Sequence, residues 1–262
     1  MGDTMSYFGN NDWLVEVARG NVPGAALVHK FGAGTIGTTL VPISFSTAYP
    51  TPTTATALEF VSSDDEDGGA GTDTGALEVT VQGLNSSWAE VSQTVTTNGT
   101  TAVALGTNLI RLYRWYVSSS GTYATAAAGS HQGILTIREA GAGATWFTIP
   151  ITPFPMGQSQ IGAYTVPTGK TAYILSWGTT SDSTKTLTAI LFQRPLADDV
   201  TTPFNGAMRA IAYKSGIVSG FESTPHSPWG PFVGPCDIGV LGKISATTSA
   251  VSTDFEMLIL DN

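Results

Sequence analysis

The sequence has little charge, a single cysteine and no long apolar run. Charged residues make up 12% of its 262 residues, and Lys and Arg number 11 against 20 Asp and Glu. A chain so poor in bases lacks the positive stripe that binds duplex nucleic acid or an anionic membrane, so we expect neither as a partner. The one cysteine, Cys236, excludes an internal disulfide.

Signals that direct a chain into or across a membrane are also missing from the sequence. No apolar run approaches the roughly 20 residues of a membrane-spanning helix. The first residues lack the basic start and apolar core of a signal peptide. Together with the lone cysteine, this predicts a protein made in a reducing cytoplasm.

What the sequence does contain indicates an all-β fold. Gly and Pro are frequent, and apolar residues still reach 42%, enough for a packed core. Residues 77–82 and 88–95 alternate apolar and polar side chains, the period of a half-buried strand. Asn98-Gly99 is typical of a tight hairpin turn. We therefore predict two antiparallel β-sandwich or jelly-roll-like units.

The domain organisation follows from breaks in this strand pattern. Residues 1–55 spread their apolar side chains among Gly and Pro, which predicts an extended N-terminal arm without a core of its own. A Pro-rich stretch at 150–157 is the expected joint between two units. The prediction is an arm over 1–55, a first sandwich over 56–152 and a second over 153–262.

Residues that carry chemistry are few and isolated. His29, His131 and His226 show no metal-ligand spacing, and the lone Cys236 is typical of a packed small hydrophobe. The acidic run from Asp64 to Asp67 has two interpretations, a solvated loop or a Ca²⁺ site, because its spacing is not that of a known calcium loop. We expect no catalytic residue, cofactor or metal, and no enzymatic activity.

Aromatic residues are the candidate contact residues. Trp88, Trp115, Trp146 and Trp177 lie in or beside predicted strands, which indicates core burial. Trp229 sits in a Pro-rich loop, where it could pack on its own unit, anchor a subunit interface or stack on a sugar. The predicted interface residues are Phe8, Trp13, Phe31, Trp229 and Phe232.

Several framework segments resemble those of virion structural proteins of tailed bacteriophages, especially aquatic ones. The segments that carry the resemblance are 17–24, 55–63, 77–84, 90–95, 98–101, 163–174 and 255–262. They are strands and turns, so the resemblance implies a fold more than an activity. It brings no catalytic residues to this chain.

The resemblance implies a component of the virion, made in the host cytoplasm. The expected role is a capsid decoration or cement protein, a homo-oligomer such as a trimer that contacts the major capsid protein or other virion proteins. The alternative is a neck, tail or fibre-tip protein that binds a carbohydrate receptor through Trp229, Tyr213 or Tyr123.

Overall fold

The computed structural model describes residues 9–44, 48–122, 129–151, 156–182 and 184–262; Phe8 and Tyr123 lie outside these ranges. The described residues form one helix, α1 (Gly9–Ala18), and seventeen strands. The strands are β1 (Ala25–Ile36), β2 (Val41–Pro42), β3 (Leu58–Ser62), β4 (Ala76–Leu84), β5 (Glu90–Thr96), β6 (Val103–Ala104), β7 (Arg111–Ser120), β8 (Leu135–Glu139), β9 (Thr145–Ile149), β10 (Ala163–Val166), β11 (Lys170–Ser181), β12 (Leu187–Pro195), β13 (Arg209–Ile217), β14 (Gly220–Ser223), β15 (Trp229–Val233), β16 (Cys236–Ile244) and β17 (Ser249–Asp261).

The strands form four antiparallel sheets, which confirms the predicted all-β class. Strands β6-β3-β8-β9 and β5-β4-β7 make the two sheets of the first half of the chain. In the second half, one sheet has the order β1-β17-β11-β14, with β15 also paired to β11. The other has the order β10-β16-β12-β13, with β2 paired to β16. No helix in the described ranges is both long and apolar enough to cross a membrane.

Two large buried clusters form the core, one for each pair of sheets. Trp115 is fully buried in the first and Trp177 in the second. Trp88 and Trp146 are buried as well, so the prediction of core burial is confirmed for all four tryptophans. The first cluster also includes Ala163, which lies beyond the expected joint. The boundary between 152 and 153 stays a prediction.

The predicted extended arm is corrected for the part of residues 1–55 that forms regular structure. Residues 9–18 are helical, and β1 pairs with β17 along all twelve of its residues. Gly32 also lets the backbone at Ile43 approach β1 closely, because a Cβ at position 32 would lie 2.2 Å from the carbonyl oxygen of Ile43. The described part of this segment joins the core of the second pair of sheets, where Ile36 and Ile43 belong to the buried cluster.

Candidate functional site

A buried ion pair joins the two halves of the chain. The Arg111 guanidinium, on β7, donates from Nε and Nη2 to the two carboxylate oxygens of Asp237, on β16, at 2.9 and 3.0 Å. The Thr165 hydroxyl donates to the same carboxylate at 2.6 Å. Arg111 also lies over the Trp88 ring, 4.8 Å from its centroid. Two-point geometry of this kind fixes orientation, so the pair holds β7 and β16 in one arrangement.

A cleft of about 610 Å³ opens beside this junction, lined by residues of β1, β4, β5, β7 and β10. One carboxylate oxygen of Glu90 accepts hydrogen bonds from the hydroxyls of Tyr113 and Tyr164, at 3.3 and 3.2 Å. Burial, followed by the charge of Glu90, raises the pKa of both tyrosines. The two hydroxyls therefore stay protonated at neutral pH and act as donors to Glu90.

Lys30 forms the inner wall of the cleft and is 6% exposed. Its ammonium group donates to the backbone carbonyl of Tyr113 and lies 5.7 Å from the centroid of that residue's ring. Burial lowers the pKa of Lys30 to about 7, with a smaller contribution from the charge of Arg114. The lysine is therefore held close to its protonation midpoint at neutral pH.

We expect Lys30 to make stability depend on pH. Between about pH 7 and the ordinary lysine pKa of 10.5, the unfolded chain binds a proton at Lys30 that the folded chain does not. The free energy of unfolding should therefore rise with pH above 7. Denaturant unfolding of the wild type and of Lys30→Met at pH 7.0 to 8.5 checks this. The variant should lack the rise, and equal slopes for both proteins would contradict it.

The acidic run divides into one buried carboxylate and an exposed group. Asp67 is fully buried and accepts hydrogen bonds from the Ser62 hydroxyl at 2.5 Å and from three backbone amides at 2.7 to 3.0 Å. These amides belong to Ala76, Gln132 and Gly133. The expectation of a solvated loop is therefore wrong for Asp67, which ties the loop to β4 and to the segment before β8.

Three exposed carboxylates of this region, those of Asp65, Glu66 and Glu78, form a surface that we call the acidic corner; Asp64 and Asp73 beside it are half-buried. The backbone amide of Gly75 donates to the carbonyl of Glu66 at 2.9 Å, which brings the loop beside the start of β4. None of the four salt bridges between described residues includes a member of the corner. Its negative charge is therefore not balanced by a neighbouring base there.

A second exposed surface follows strand β13, the last strand of its sheet. Its far edge pairs with no strand among the described residues. Large apolar side chains along and beside it are between 54% and 59% exposed, and two bases, Arg209 and Lys214, stand on it. We call this the β13 surface, made of Phe204, Met208, Arg209, Tyr213, Lys214 and Val218.

The four predicted interface residues that the structure describes have different surroundings. Phe31 is 40% exposed at the cleft and Trp13 is half-buried in α1. Trp229 is half-buried against the second core, and Phe232 is 5% exposed inside that core. Phe232 is therefore corrected from a contact residue to a core residue, because β15 pairs with β11 and turns that side chain inward. Phe8 lies outside the described residues.

The residues of possible chemistry are also placed apart. Burial raises the pKa of the Cys236 thiol to about 12, so the cysteine is the packed residue that its sequence context predicts. Burial lowers the pKa of His131, whose ring bonds the Pro150 carbonyl at 3.1 Å. Within the described ranges, no group of three or more His, Cys, Asp or Glu is placed to hold a metal ion.

Comparison with known proteins gives little to set beside this geometry. No protein-family model matches the chain, and no curated protein matches it. Among solved structures, a chain in the structure of infectious bursal disease virus Gt strain is similar over 94% of this chain and 77% of that chain, with 10% identity and a TM-score of 0.24. A TM-score this low does not define a shared fold.

Proposed function

We propose that this chain is a structural component of a tailed-phage virion and acts in the head as a decoration or cement protein. The observation that supports it best is the β13 surface, an unpaired sheet edge flanked by exposed apolar side chains. An edge of this kind pairs readily with another chain, and soluble monomers usually shield it.

The remaining features agree with a role that works through contact area. Each sheet pair has its own large buried cluster, and the buried Arg111–Asp237 pair links the two sheet pairs. The framework segments that resemble virion proteins are the strands and turns of this body. A cement protein of this kind stabilises a shell by bridging neighbouring subunits.

The proposal predicts a loss of particle stability when the protein is removed. Particles stripped of it, or assembled without it, should release their DNA at a lower temperature than complete particles, since the bridging contacts are missing. Adding back the purified wild-type protein should restore the release temperature. Thermal release followed with a DNA-binding dye measures this.

An unchanged release temperature, with the protein shown to be absent from the particle, would contradict the cement role. The carbohydrate-binding alternative predicts a different result. In that case stripped particles keep their stability but lose attachment to the host, and the purified protein binds members of a glycan array.

A further inference from the structure

We propose that the β13 surface of one copy docks on the acidic corner of a second copy of this chain, so that copies join head to tail. This inference rests on the proposed function for its setting in the virion and adds the partner and the contact surface. The two surfaces lie on different halves of the chain and carry opposite charge.

The charges of the chain are unevenly distributed between its halves. Nine of the 20 acidic residues but three of the 11 bases lie between residues 56 and 152. Two of those three bases, Arg111 and Arg138, are already paired with carboxylates. Five bases and four acidic residues lie between residues 185 and 243, and the two bases on β13 form none of the salt bridges between described residues.

Charge also argues against pairing of β13 with its own copy. In an antiparallel pairing of two β13 strands centred on Tyr213, Lys214 of one copy would lie diagonally opposite Lys214 of the other, and β13 has no acidic residue to separate them. Like charges on neighbouring strands disfavour pairing, and basic residues on edge strands are a common protection against it. An acidic partner would attract these bases instead of repelling them. The acidic corner is such a partner, because it is exposed and none of its carboxylates forms a salt bridge among the described residues.

The loop that carries most of the acidic corner is fixed by hydrogen bonds. Glu66 and Glu78 are exposed, and the Gly75 amide donates to the Glu66 carbonyl at 2.9 Å just before β4 begins. The buried Asp67 holds the loop in place through four hydrogen bonds. The loop therefore presents its carboxylates without first having to be ordered, which favours binding.

A contact between two different surfaces of the same chain is heterologous. Each copy keeps one free surface after the first contact, so association continues until a ring closes or a filament forms. Attraction between exposed charges weakens with salt, since the Debye length falls from about 30 Å at 0.01 M to about 3 Å at 1 M. The association should therefore be lost as ionic strength rises.

A charge-swap experiment tests the contact. The edge-reversed variant carries Arg209→Glu and Lys214→Glu, and the corner-reversed variant carries Glu66→Lys and Glu78→Lys. Each alone should lose self-association at least about tenfold by sedimentation velocity, because like charges then face each other. Mixed in equal amounts they should associate again, since every contact between the two variants pairs opposite charges. The control variant, Glu256→Lys with Asp261→Lys, makes the charge change of the corner-reversed variant on β17 and should associate like the wild type.

Three results would overturn the proposal. A wild type that stays monomeric at low salt and high concentration excludes the second copy as partner. Reversed variants that remain separate when mixed, although circular dichroism shows them folded, exclude the pairing of these two surfaces. An edge-reversed variant that self-associates normally but no longer binds particles assigns the β13 surface to another, acidic virion protein, and leaves the proposed function standing.

Discussion

Asp237→Ala is expected to lower the free energy of unfolding by about 3–5 kcal/mol, one of the two largest effects of any substitution considered for this chain. The alanine would leave the Arg111 guanidinium in a fully buried position without its carboxylate partner. An uncompensated buried charge costs much more than the pair contributes when intact. Urea unfolding followed by circular dichroism measures the loss.

Two comparison variants make this result specific. Asp261→Ala removes the exposed partner of Lys170 and should cost at most about 1 kcal/mol, as surface pairs do. The double variant Arg111→Met with Asp237→Leu removes both charges and should lose less than Asp237→Ala alone. A cost for Asp237→Ala no greater than that of Asp261→Ala would show that the junction does not depend on the ion pair.

Asp67→Ala is expected to cost about 3 kcal/mol or more, because it leaves three backbone amides and one hydroxyl without their acceptor in a buried site. Asp67→Asn should also be strongly destabilising, since its amide nitrogen would face groups that themselves donate. Thermal unfolding of both variants checks this. The matched control is Asp65→Ala in the same run of acids, where the side chain is exposed and the loss should stay below about 1 kcal/mol.

An Asp67→Ala variant as stable as Asp65→Ala would contradict the role of Asp67 as the anchor of the loop. The Asp67→Ala variant should also affect self-association. Loss of the anchor should weaken self-association as well as folding stability, because the acidic corner would no longer be held in one conformation.

Much of the fold could be predicted from local sequence, because sheet faces repeat every two residues. The alternation at 77–82 and 88–95 corresponds to β4 and β5, which pair with each other. The turn chemistry of Asn98-Gly99 was predicted in part, since Gly99 adopts a φ of 57°. The hairpin predicted at this turn was wrong, because the strands on either side of it do not pair with each other. β5 pairs with β4 and β6 pairs with β3, in different sheets. Turn residues set the local backbone but not the partner of the next strand.

The junction could not be predicted from sequence because its partners are far apart in the chain. Arg111 and Asp237 are separated by 126 positions, and the imperfect alternation of Arg111 and Arg114 with apolar residues in segment 109–117 indicates only a bulge or an edge. A register shift does occur nearby, between Gln82 and Gly83 opposite β7, yet the side chain itself is buried. Only the packing of the two sheet pairs brings the Asp237 carboxylate to the Arg111 guanidinium. Without that partner, burial of the arginine's charge would be strongly destabilising.

The exposed surfaces were also beyond local prediction. Arg209 and Lys214 on β13 are typical of an edge strand, and Tyr213 was a candidate for an exposed contact, but the local sequence did not show that these residues and Met208 form one exposed surface. Conversely, Phe232 lies in a loop-like Pro-rich context and proves to be core. Exposure depends on which strands find partners, and that is decided by the whole topology.

A protein that works through its contact surfaces in a virion should be visible on the intact particle by electron cryomicroscopy. We expect many symmetry-related copies on the head, with β13 of each copy against the acidic corner of its neighbour. Particles whose reconstruction holds no density for this chain on any repeating site, while the protein is present and folded in infected cells, would contradict it.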